Sequence, residues 1–194
     1  MDKKHINEGM KSRFAFFKKF LKQPKDIGSI TPSSQFLCKK MTEPLKASHP
    51  HVVVELGAGD GRMTKHILKN VPKTCKVIAI EKQAEFVEEL QKIKDSRLVV
   101  VSASAENLVK TLQKNGLDEA DYVISGLPLA NIDRAAEEKI LKNIYTCLKP
   151  GGRYMQYHYL RPYNFSRYKN IFQSLKLDFI LFNLPPSFVY TCQK

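Results

Sequence analysis

The residues best placed to do chemistry form a glycine-rich turn that follows a short apolar run and one acid. Residues 52 to 56 are apolar except for Glu55, and glycines follow at positions 57, 59 and 61. Glycine has no Cβ, so it permits a tight turn and lets the backbone approach a ligand closely. Residues 62 to 70 can form a helix whose amino terminus faces that ligand. The order of buried strand, glycine turn and helix therefore predicts a nucleotide-type binding site.

The spacing of these glycines separates two kinds of site. The dinucleotide fingerprint is G-x-G-x-x-G, and its third glycine is missing because position 62 is Arg. The pattern E-x-G-x-G-x-G instead resembles the first motif of class I methyltransferases, which use S-adenosylmethionine. Taken alone, the glycines also suit an ordinary strand-to-helix turn. The resemblance places Glu55 close to the charged ammonium of the cofactor. The residues that it assigns to the methionine part are Gly57, Ala58, Gly59 and Gly61.

Two later strand-like runs supply further candidates for the same site. The run 76–80 ends in Glu81, and an acid there can accept hydrogen bonds from both hydroxyls of a ribose. A solvated glutamate at a strand end is the alternative. The run 98–101 leads to Ser104, where this class of methyltransferase usually carries an aspartate that binds the adenine amino group. A hydroxyl accepts that hydrogen bond more weakly. The other residues assigned to the cofactor are Lys82, Ala105, Glu106 and Ser125.

The elements that position these residues alternate along the chain. The 194 residues, 43% of them hydrophobic, are enough for one domain with its own core. Strand-like runs at 52–56, 76–80, 98–101, 121–125 and 153–159 alternate with helical stretches near 62–70, 83–94, 106–115 and 134–148. This alternation predicts an α/β fold with a doubly wound, mostly parallel sheet.

The tail departs from this alternation. Residues 178–184 and 188–192 are both strand-like, and only positions 185 to 187 join them. So short a link cannot hold a crossover helix, so the two strands should be antiparallel. A reversed last strand is characteristic of the Rossmann-like class I methyltransferase fold. The predicted domain spans 31–194. A helix should start at Thr31 and Pro32 and end before Pro44.

Composition limits the partners and the compartment. A net charge of +13 calls for an anionic partner, either nucleic acid or acidic lipid. The four cysteines are scattered and form no CxxC pair, which predicts no metal site and a reducing compartment. No apolar run approaches the length of a membrane-spanning helix. We therefore expect a cytoplasmic protein that is soluble or peripheral on the inner face of the membrane.

Residues 1–30 form a separate basic segment with a predicted amphipathic helix. On a helical wheel its phenylalanines fall in one sector and its lysines in the opposite one. Such a helix lies in a membrane interface. The alternatives are a helix that packs its Phe face on the domain, and a nucleic-acid-binding arm. The residues expected to contact an anionic membrane are Phe14, Phe16, Phe17, Phe20, Lys18, Lys19 and Lys22.

Several segments narrow the resemblance. The run I-G-S-I-T-P-S-S at 27–34, together with residues 125–129, 156–159 and 183–186, resembles the bacterial phospholipid N-methyltransferases. That family converts phosphatidylethanolamine stepwise to phosphatidylcholine, and its N-terminal segment binds membrane. The resemblance runs from about residue 14 to the C-terminus. It implies methyl transfer from S-adenosylmethionine to the amine of a phospholipid headgroup.

The motif after the fourth strand separates lipid chemistry from base chemistry. Ribosomal RNA adenine dimethyltransferases, which the chain resembles distantly, carry N-[LI]-P-[YF] where this chain has Gly126, Leu127, Pro128 and Leu129. A flipped adenine would lose both its side-chain amide contact and its stacking partner here. A lipid headgroup is therefore favoured. An RNA adenine N6-methyltransferase and a non-enzymatic membrane-binding module on the same fold are the alternatives.

The acceptor amine must be brought to the cofactor with a free lone pair. Methyl transfer is an in-line displacement, so the enzyme mainly positions a neutral amine, and a nearby His or Tyr could accept its proton. Tyr157, His158 and Tyr159 lie at the carboxyl end of the fifth strand, where ligands bind in such sheets. Alternation puts the last two on opposite faces, so at least one of the three is packing. The predicted catalytic residues are Tyr159, His158, Leu127 and Pro128.

Overall fold

A computed structural model describes residues 34–160, 162–183 and 185–194. The amphipathic helix predicted over residues 1–30, with its Phe and Lys membrane contacts, lies outside these described residues. The same holds for the helix start predicted at Thr31 and Pro32.

The described residues form one seven-stranded sheet in the order β3-β2-β1-β4-β5-β7-β6. Within it, only β7 is reversed, and it pairs antiparallel with both β5 and β6. This confirms the predicted α/β sheet, mostly parallel with an antiparallel last strand. The strands are β1 Val52–Leu56, β2 Lys76–Glu81, β3 Leu98–Ser102, β4 Ala120–Ser125, β5 Leu148–Tyr159, β6 Ser174–Ile180 and β7 Ser187–Gln193.

Helices cover both faces of the sheet. Alternate strand residues face opposite sides, so Val53 packs with α1 and α2 while Val54 and Leu56 pack with α4 and α5. A sheet buried on both faces explains why its central strands are continuous apolar runs. No helix in the described part of the chain is long and apolar enough to span a bilayer. The helices are α1 Gln35–Ser48, α2 Arg62–Asn70, α3 Ala84–Gln91, α4 Leu108–Lys114, α5 Arg134–Cys147 and α6 Phe165–Ile171.

The first described helix differs from its predicted bounds. The side chain of Ser34 caps α1, because its Oγ accepts a hydrogen bond of 3.1 Å from the Leu37 N–H. The helix then passes through Pro44 and ends at Ser48, so the predicted end before Pro44 is wrong. Proline removes one backbone donor, but Leu45 is fully buried and holds the last turn on the sheet.

The strand β6 ends four residues earlier than predicted. Its pairing with β7 runs from Ser174 to Ile180, and Leu181 and Phe182 already lie in the turn that follows. The apolar side chains of Leu181 and Phe182 extended the strand-like pattern into that turn, although both are exposed. The helix α6 was not predicted, because only Tyr168 of its seven residues is buried and it has little periodicity.

Candidate active site

A cleft of about 520 Å³ opens at the carboxyl ends of β1, β2 and β4. This edge is where open parallel sheets bind ligands. The glycine turn, the end of β2, the segment after β3 and the loop after β4 all contribute to its walls. The residues predicted from sequence that line it are Glu55, Gly57, Ala58, Gly59, Glu81, Lys82, Ser104, Ala105, Glu106, Leu127 and Pro128.

The glycine turn has a backbone that only glycine adopts easily. Gly57, Gly59 and Gly61 have φ values of 70°, 53° and 74°, in the left-handed region. A Cβ on Gly57 would also lie 2.8 Å from Cδ2 of Leu127. Gly59 has open space around the same position, on the side of the cleft. The turn therefore packs against the loop after β4 and leaves room for a ligand over Gly59.

The carboxylate of Glu81 ties this turn to the start of α3. Its Oε2 accepts from the Gly59 N–H at 3.0 Å, and its Oε1 accepts from the N–H groups of Lys82 and Gln83 at 2.8 and 2.9 Å. A carboxylate offers about four lone-pair positions, so it has room for a further donor such as a ribose hydroxyl. Glu81 is buried and lines the cleft. Its position fits the predicted role and adds a second one, which is holding the glycine turn in place.

Glu55 is a buried acid beneath the glycine turn. Its side chain is almost fully buried, and its Oε2 accepts a hydrogen bond of 2.6 Å from the hydroxyl of Thr64 on α2. Burial raises the pKa of this carboxyl to about 8, with the Thr64 hydrogen bond acting in the opposite direction. At neutral pH the carboxyl therefore holds a proton in the unliganded protein. A cation bound beside it would favour the ionised form.

The segment after β3 is a short 3-10 turn capped by Ser104. The Ser104 Oγ accepts from the Glu106 N–H at 3.3 Å. This bond uses part of the accepting capacity that the sequence analysis assigned to an adenine amino group. Glu106 Oε2 lies 3.1 Å from Lys139 Nζ on α5, and this ion pair fastens the turn to the helix beside it.

The loop after β4 fits the glycine turn backbone to backbone. The Gly126 N–H donates to the Leu56 carbonyl at 2.8 Å, and a Cβ on Gly126 would lie 2.9 Å from the Gly57 carbonyl oxygen. Neither backbone can move away without displacing a strand end. Position 126 therefore has to be glycine for the two loops to meet, and this contact was invisible in the sequence.

The buried amide of Gln156 fixes the side of the cleft that the loop after β4 and the end of β5 form. Its Nε2 donates to the carbonyl oxygens of Leu127 and Tyr157 at 3.0 and 2.8 Å. Its Oε1 accepts from the Tyr154 hydroxyl at 2.8 Å. Gln156 has no exposed surface, so every polar atom of its side chain is used inside the protein. It joins the loop after β4 to β5, a role that sequence reasoning did not assign to it.

His158 does not line the cleft, so its predicted place in an amine pocket is wrong. It lies on the other face of β5, with Nε2 3.2 Å from the Tyr168 hydroxyl and its ring packed on Tyr163 and Tyr190. Burial lowers its pKa to about 4. A neutral, buried imidazole of this kind is a poor proton acceptor at physiological pH.

The aromatic residue of β5 that lines the cleft is Tyr157. Tyr159 shares its face, and the two ring centroids are 5.4 Å apart, but Tyr159 is not part of the cleft wall. Because Gln156 pairs with Ser125, the last residue of β4, position 159 projects beyond the rim. The prediction of Tyr159 is therefore corrected to Tyr157. Strand alternation predicts which face of β5 a side chain lies on. Only the register with β4 shows how far along the strand the cleft extends.

Two residues assigned to the cofactor lie behind the wall rather than in it. Gly61 caps α2, where a Cβ would lie 3.0 Å from side-chain atoms of Ile93 and Leu90. Ser125 is fully buried, and its Oγ accepts from the Leu127 N–H at 3.2 Å. Both support residues that do line the cleft. The lining residues that sequence reasoning missed include Asp60, Met63, Gln83, Phe86, Ile132, Ala136 and Ile140.

Comparisons with known proteins show the family to which the chain is similar. A family model described as a methyltransferase domain matches residues 53–152. An ornithine lipid N-methyltransferase from Singulisphaera acidiphila is 33% identical over 187 residues, which is 95% of this chain and 97% of that protein.

Solved structures share the fold at low sequence identity. The 1,6-didemethyltoxoflavin-N1-methyltransferase of Burkholderia thailandensis was solved with bound 1,6-didemethyltoxoflavin and S-adenosylhomocysteine. It superposes with a TM-score of 0.62 at 16% identity, covering 95% of this chain and 89% of that one. The N-methyltransferase NodS of Bradyrhizobium japonicum gives 0.59 at 12% identity, covering 81% and 92%. These two similarities concern the fold.

Proposed function

We propose that this chain, which belongs to the class I S-adenosylmethionine-dependent N-methyltransferases, methylates the amine of a lipid headgroup at a membrane surface. The observation that carries the choice of lipid is the 33% identity with an ornithine lipid N-methyltransferase along 95% of the chain. Phosphatidylethanolamine, the acceptor expected from the sequence resemblance, and an ornithine lipid both present an amine on a membrane-bound molecule. The proposed reaction, methylation of that amine, is the same for both acceptors.

The residues of the cleft fit S-adenosylmethionine. The open space over Gly59 is the cradle that a Cβ would narrow, and Glu81 keeps accepting capacity for ribose hydroxyls. Glu55 and the glycine turn would hold the methionine part, and Ser104 with Ala105 the adenine. When bound, the cofactor supplies an electrophilic methyl group on a positively charged sulfur.

The chain's own contribution is to position and desolvate the amine. Leu127, Pro128 and Tyr157 form an apolar and aromatic wall of the cleft. The Leu127 carbonyl already accepts a hydrogen bond from Gln156 Nε2. Partial desolvation favours the neutral amine over the ammonium ion. The face of Tyr157 can contact an amine, and also its more methylated and cationic forms, without a fixed set of N–H donors. Burial outside the cleft and a pKa lowered to about 4 argue against His158 as the proton acceptor.

The contact between the two loops supports a lipid rather than an adenine acceptor. The RNA enzymes that the chain resembles distantly carry an asparagine where this chain has Gly126. Any side chain at that position would meet the Gly57 carbonyl, beginning with a Cβ 2.9 Å away. The cleft therefore has no room for the amide that would hold an adenine amino group.

We expect cofactor binding to release a proton at neutral pH. The Glu55 carboxyl has a pKa of about 8 and is mostly protonated at pH 7, whereas the ammonium of the cofactor favours its ionised form. Affinity should therefore rise from about pH 6 to about pH 8, and up to about one proton should leave at pH 7. Titration calorimetry in buffers of different ionisation enthalpy measures this. Equal heats in every buffer, or release that persists in Glu55→Gln, would contradict the assignment.

We expect Gln156→Leu to lower kcat while cofactor affinity stays unchanged. Leucine has a similar volume, but it removes the amide donor from the Tyr157 carbonyl and leaves the Leu127 carbonyl with the Leu129 N–H alone. Each lost hydrogen bond costs about 0.5–1.5 kcal/mol, and the loop after β4 is no longer tied to β5. A displaced Leu127 misplaces the amine, and the rate should fall at least about tenfold. Tyr154→Phe is the comparison: it removes the hydroxyl that donates to Gln156 Oε1 but keeps both hydrogen bonds from Gln156 Nε2, so kcat should stay closer to that of the wild type. Wild-type kcat in Gln156→Leu would show that the amide has no positioning role.

The function is tested by following labelled methyl groups into lipid. The full chain is incubated with methyl-labelled S-adenosylmethionine and phosphatidylglycerol vesicles that carry either phosphatidylethanolamine or ornithine lipid. Lipid chromatography should show label in methylated forms of at least one acceptor, and at subsaturating cofactor Glu81→Ala should show about 100-fold less. Structured RNA is offered in parallel. Label in RNA with none in either lipid would refute the proposal.

A further inference from the structure

Large exposed apolar side chains are concentrated at one corner of the described fold. Phe182, Leu181, Phe36 and Phe179 are 77%, 62%, 60% and 55% exposed, which is far more than such residues usually are. Together with the half-exposed Leu160 and Phe165 they make up every large hydrophobic side chain that is exposed in the part of the chain that the structure describes. We call this set the hairpin corner: Phe36, Leu160, Phe165, Phe179, Leu181 and Phe182.

Contacts bring Phe36, Phe182 and Leu160 together around the turn between β6 and β7. The rings of Phe165 and Phe179 instead pack on side chains of β7. The rings of Phe36 on α1 and Phe182 in the turn have centroids 6.1 Å apart. The Leu160 N–H donates to the Pro186 carbonyl at 2.9 Å, which brings the end of β5 beside the same turn. The corner is therefore an apolar surface assembled from separate parts of the chain. Surfaces of this kind mark interaction sites.

The hairpin corner continues into the acceptor side of the cleft. Because β6 is parallel to β5, its end lies at the same edge of the sheet as the cleft. Tyr157 lines the cleft, Tyr159 packs on it, and Leu160 follows directly. Three residues of strand span about 10 Å. A headgroup entering the cleft past Tyr157 would thus have its lipid tails close to the corner.

Positive charge accompanies the exposed rings. Lys39 follows Phe36 by three residues on α1, and Lys169 follows Phe165 by four on α6, so each lysine neighbours its ring on the helix surface. Both lysines are exposed, and the chain carries a net charge of +13. Aromatic and aliphatic side chains with flanking lysines suit an interface with anionic lipid headgroups.

We propose that the hairpin corner inserts into an anionic bilayer and sets the acceptor side of the cleft against the membrane surface. This inference rests on the proposed lipid function and adds the surface through which the substrate reaches the site. Two other occupants are conceivable, namely residues 1–33 of the same chain and a second copy. A bilayer is favoured because the cleft opens beside the corner, and an acceptor that resides in a membrane has to be taken from one.

The test uses tryptophan fluorescence, because the chain contains no tryptophan. Phe182→Trp in the full chain provides a single reporter in the corner, and Thr74→Trp is the matched control in an exposed turn ahead of β2, at the opposite edge of the sheet. Phosphatidylglycerol–phosphatidylethanolamine vesicles, with and without brominated acyl chains, are added to each. Trp emission at 182 should shift to shorter wavelength and be quenched by the bromines, while emission at 74 should do neither.

A second variant measures the contribution of the corner to binding. The double change Leu181→Ser and Phe182→Ser should weaken vesicle partitioning about tenfold or more, since it removes two large apolar side chains from the interface. Its S-adenosylmethionine affinity by calorimetry should equal that of the wild type, which shows that the cleft is intact.

The remaining outcomes separate this inference from the proposed function. If the reporter at 182 is unchanged while the wild type methylates vesicle lipid, the corner is not the docking surface and the function stands. If that reporter is already shifted before vesicles are added and then stays constant, residues 1–33 or a second copy cover the corner and the inference is wrong. If it inserts but no lipid is methylated, membrane contact stands and the proposed function fails.

Discussion

Glu81→Ala will weaken S-adenosylmethionine binding by about 100-fold. The substitution removes the acceptor expected for the ribose hydroxyls, and hydrogen bonds to a charged group are worth about 1.5–3 kcal/mol each. Two such bonds correspond to about 3 kcal/mol, or two powers of ten in the dissociation constant. It also releases the Gly59 N–H and the N–H groups of Lys82 and Gln83, so the glycine turn loses its anchor. Titration calorimetry on the full chain measures the loss.

The control for this experiment is a glutamate one turn further along. Glu85 lies in the first turn of α3 and is exposed, so Glu85→Ala changes the net charge equally without touching the cleft. Its affinity should match the wild type. Glu81→Gln, which keeps the shape and one acceptor oxygen, should fall between the two. Wild-type affinity in Glu81→Ala would show that the acid at the end of β2 does not hold the cofactor.

The second large effect is expected from Gly126→Ala. The new Cβ would lie 2.9 Å from the Gly57 carbonyl oxygen, so either the glycine turn or the Leu127–Pro128 loop must shift. Overpacking of this kind costs about 1–3 kcal/mol of folding stability. A displacement of about 1 Å between donor and acceptor lowers a rate about 100-fold. We expect the rate constant of methyl transfer in a single-turnover assay to fall by that order.

Gly116→Ala separates the loss of stability from the loss of activity. Gly116 has a φ of 70°, and a Cβ added to it would have no atom within 4 Å. This residue precedes β4 and lies away from the cleft. Alanine there should cost about 1–2 kcal/mol in backbone strain and leave kcat unchanged. If Gly126→Ala behaved in the same way, the contact between the two loops would have no role in catalysis.

The central part of the fold follows directly from the sequence. A strand buried on both faces has to be mainly apolar, so β1 and β2 are visible as short apolar runs, with Glu55 near the end of β1 and Glu81 at the end of β2. The glycines that follow β1 mark the turn because no other residue adopts their φ values easily. Local composition therefore indicated two walls of the cleft, the glycine turn and the end of β2.

The edge of the sheet did not follow from the sequence in the same way. Leu181 and Phe182 continue the apolar run of β6, yet they lie in an exposed turn. Hydrophobicity cannot distinguish a side chain buried by the fold from one kept exposed for a partner. The exposed apolar side chains of the turn therefore explain why the end of β6 was predicted too late, and the same side chains belong to the hairpin corner.

The acceptor side of the cleft depends on contacts between distant parts of the chain. The Gly126–Gly57 approach and the Gln156–Leu127 hydrogen bond join different strands, and no local pattern indicates either. The correction of the predicted cleft residue from Tyr159 to Tyr157 depends on the pairing of Ser125 with Gln156. Such residues are found only when the register of the strands is known.

The most direct test of the account is a crystal structure of the full chain with S-adenosylhomocysteine. The ligand should lie between the Gly57–Gly61 turn and Glu81, with its ribose hydroxyls on the Glu81 carboxylate and its amino group beside Glu55. Its sulfur should face Leu127 and Pro128, next to Tyr157. A ligand bound elsewhere, or a cleft filled by the protein's own side chains at saturating ligand, would contradict the account.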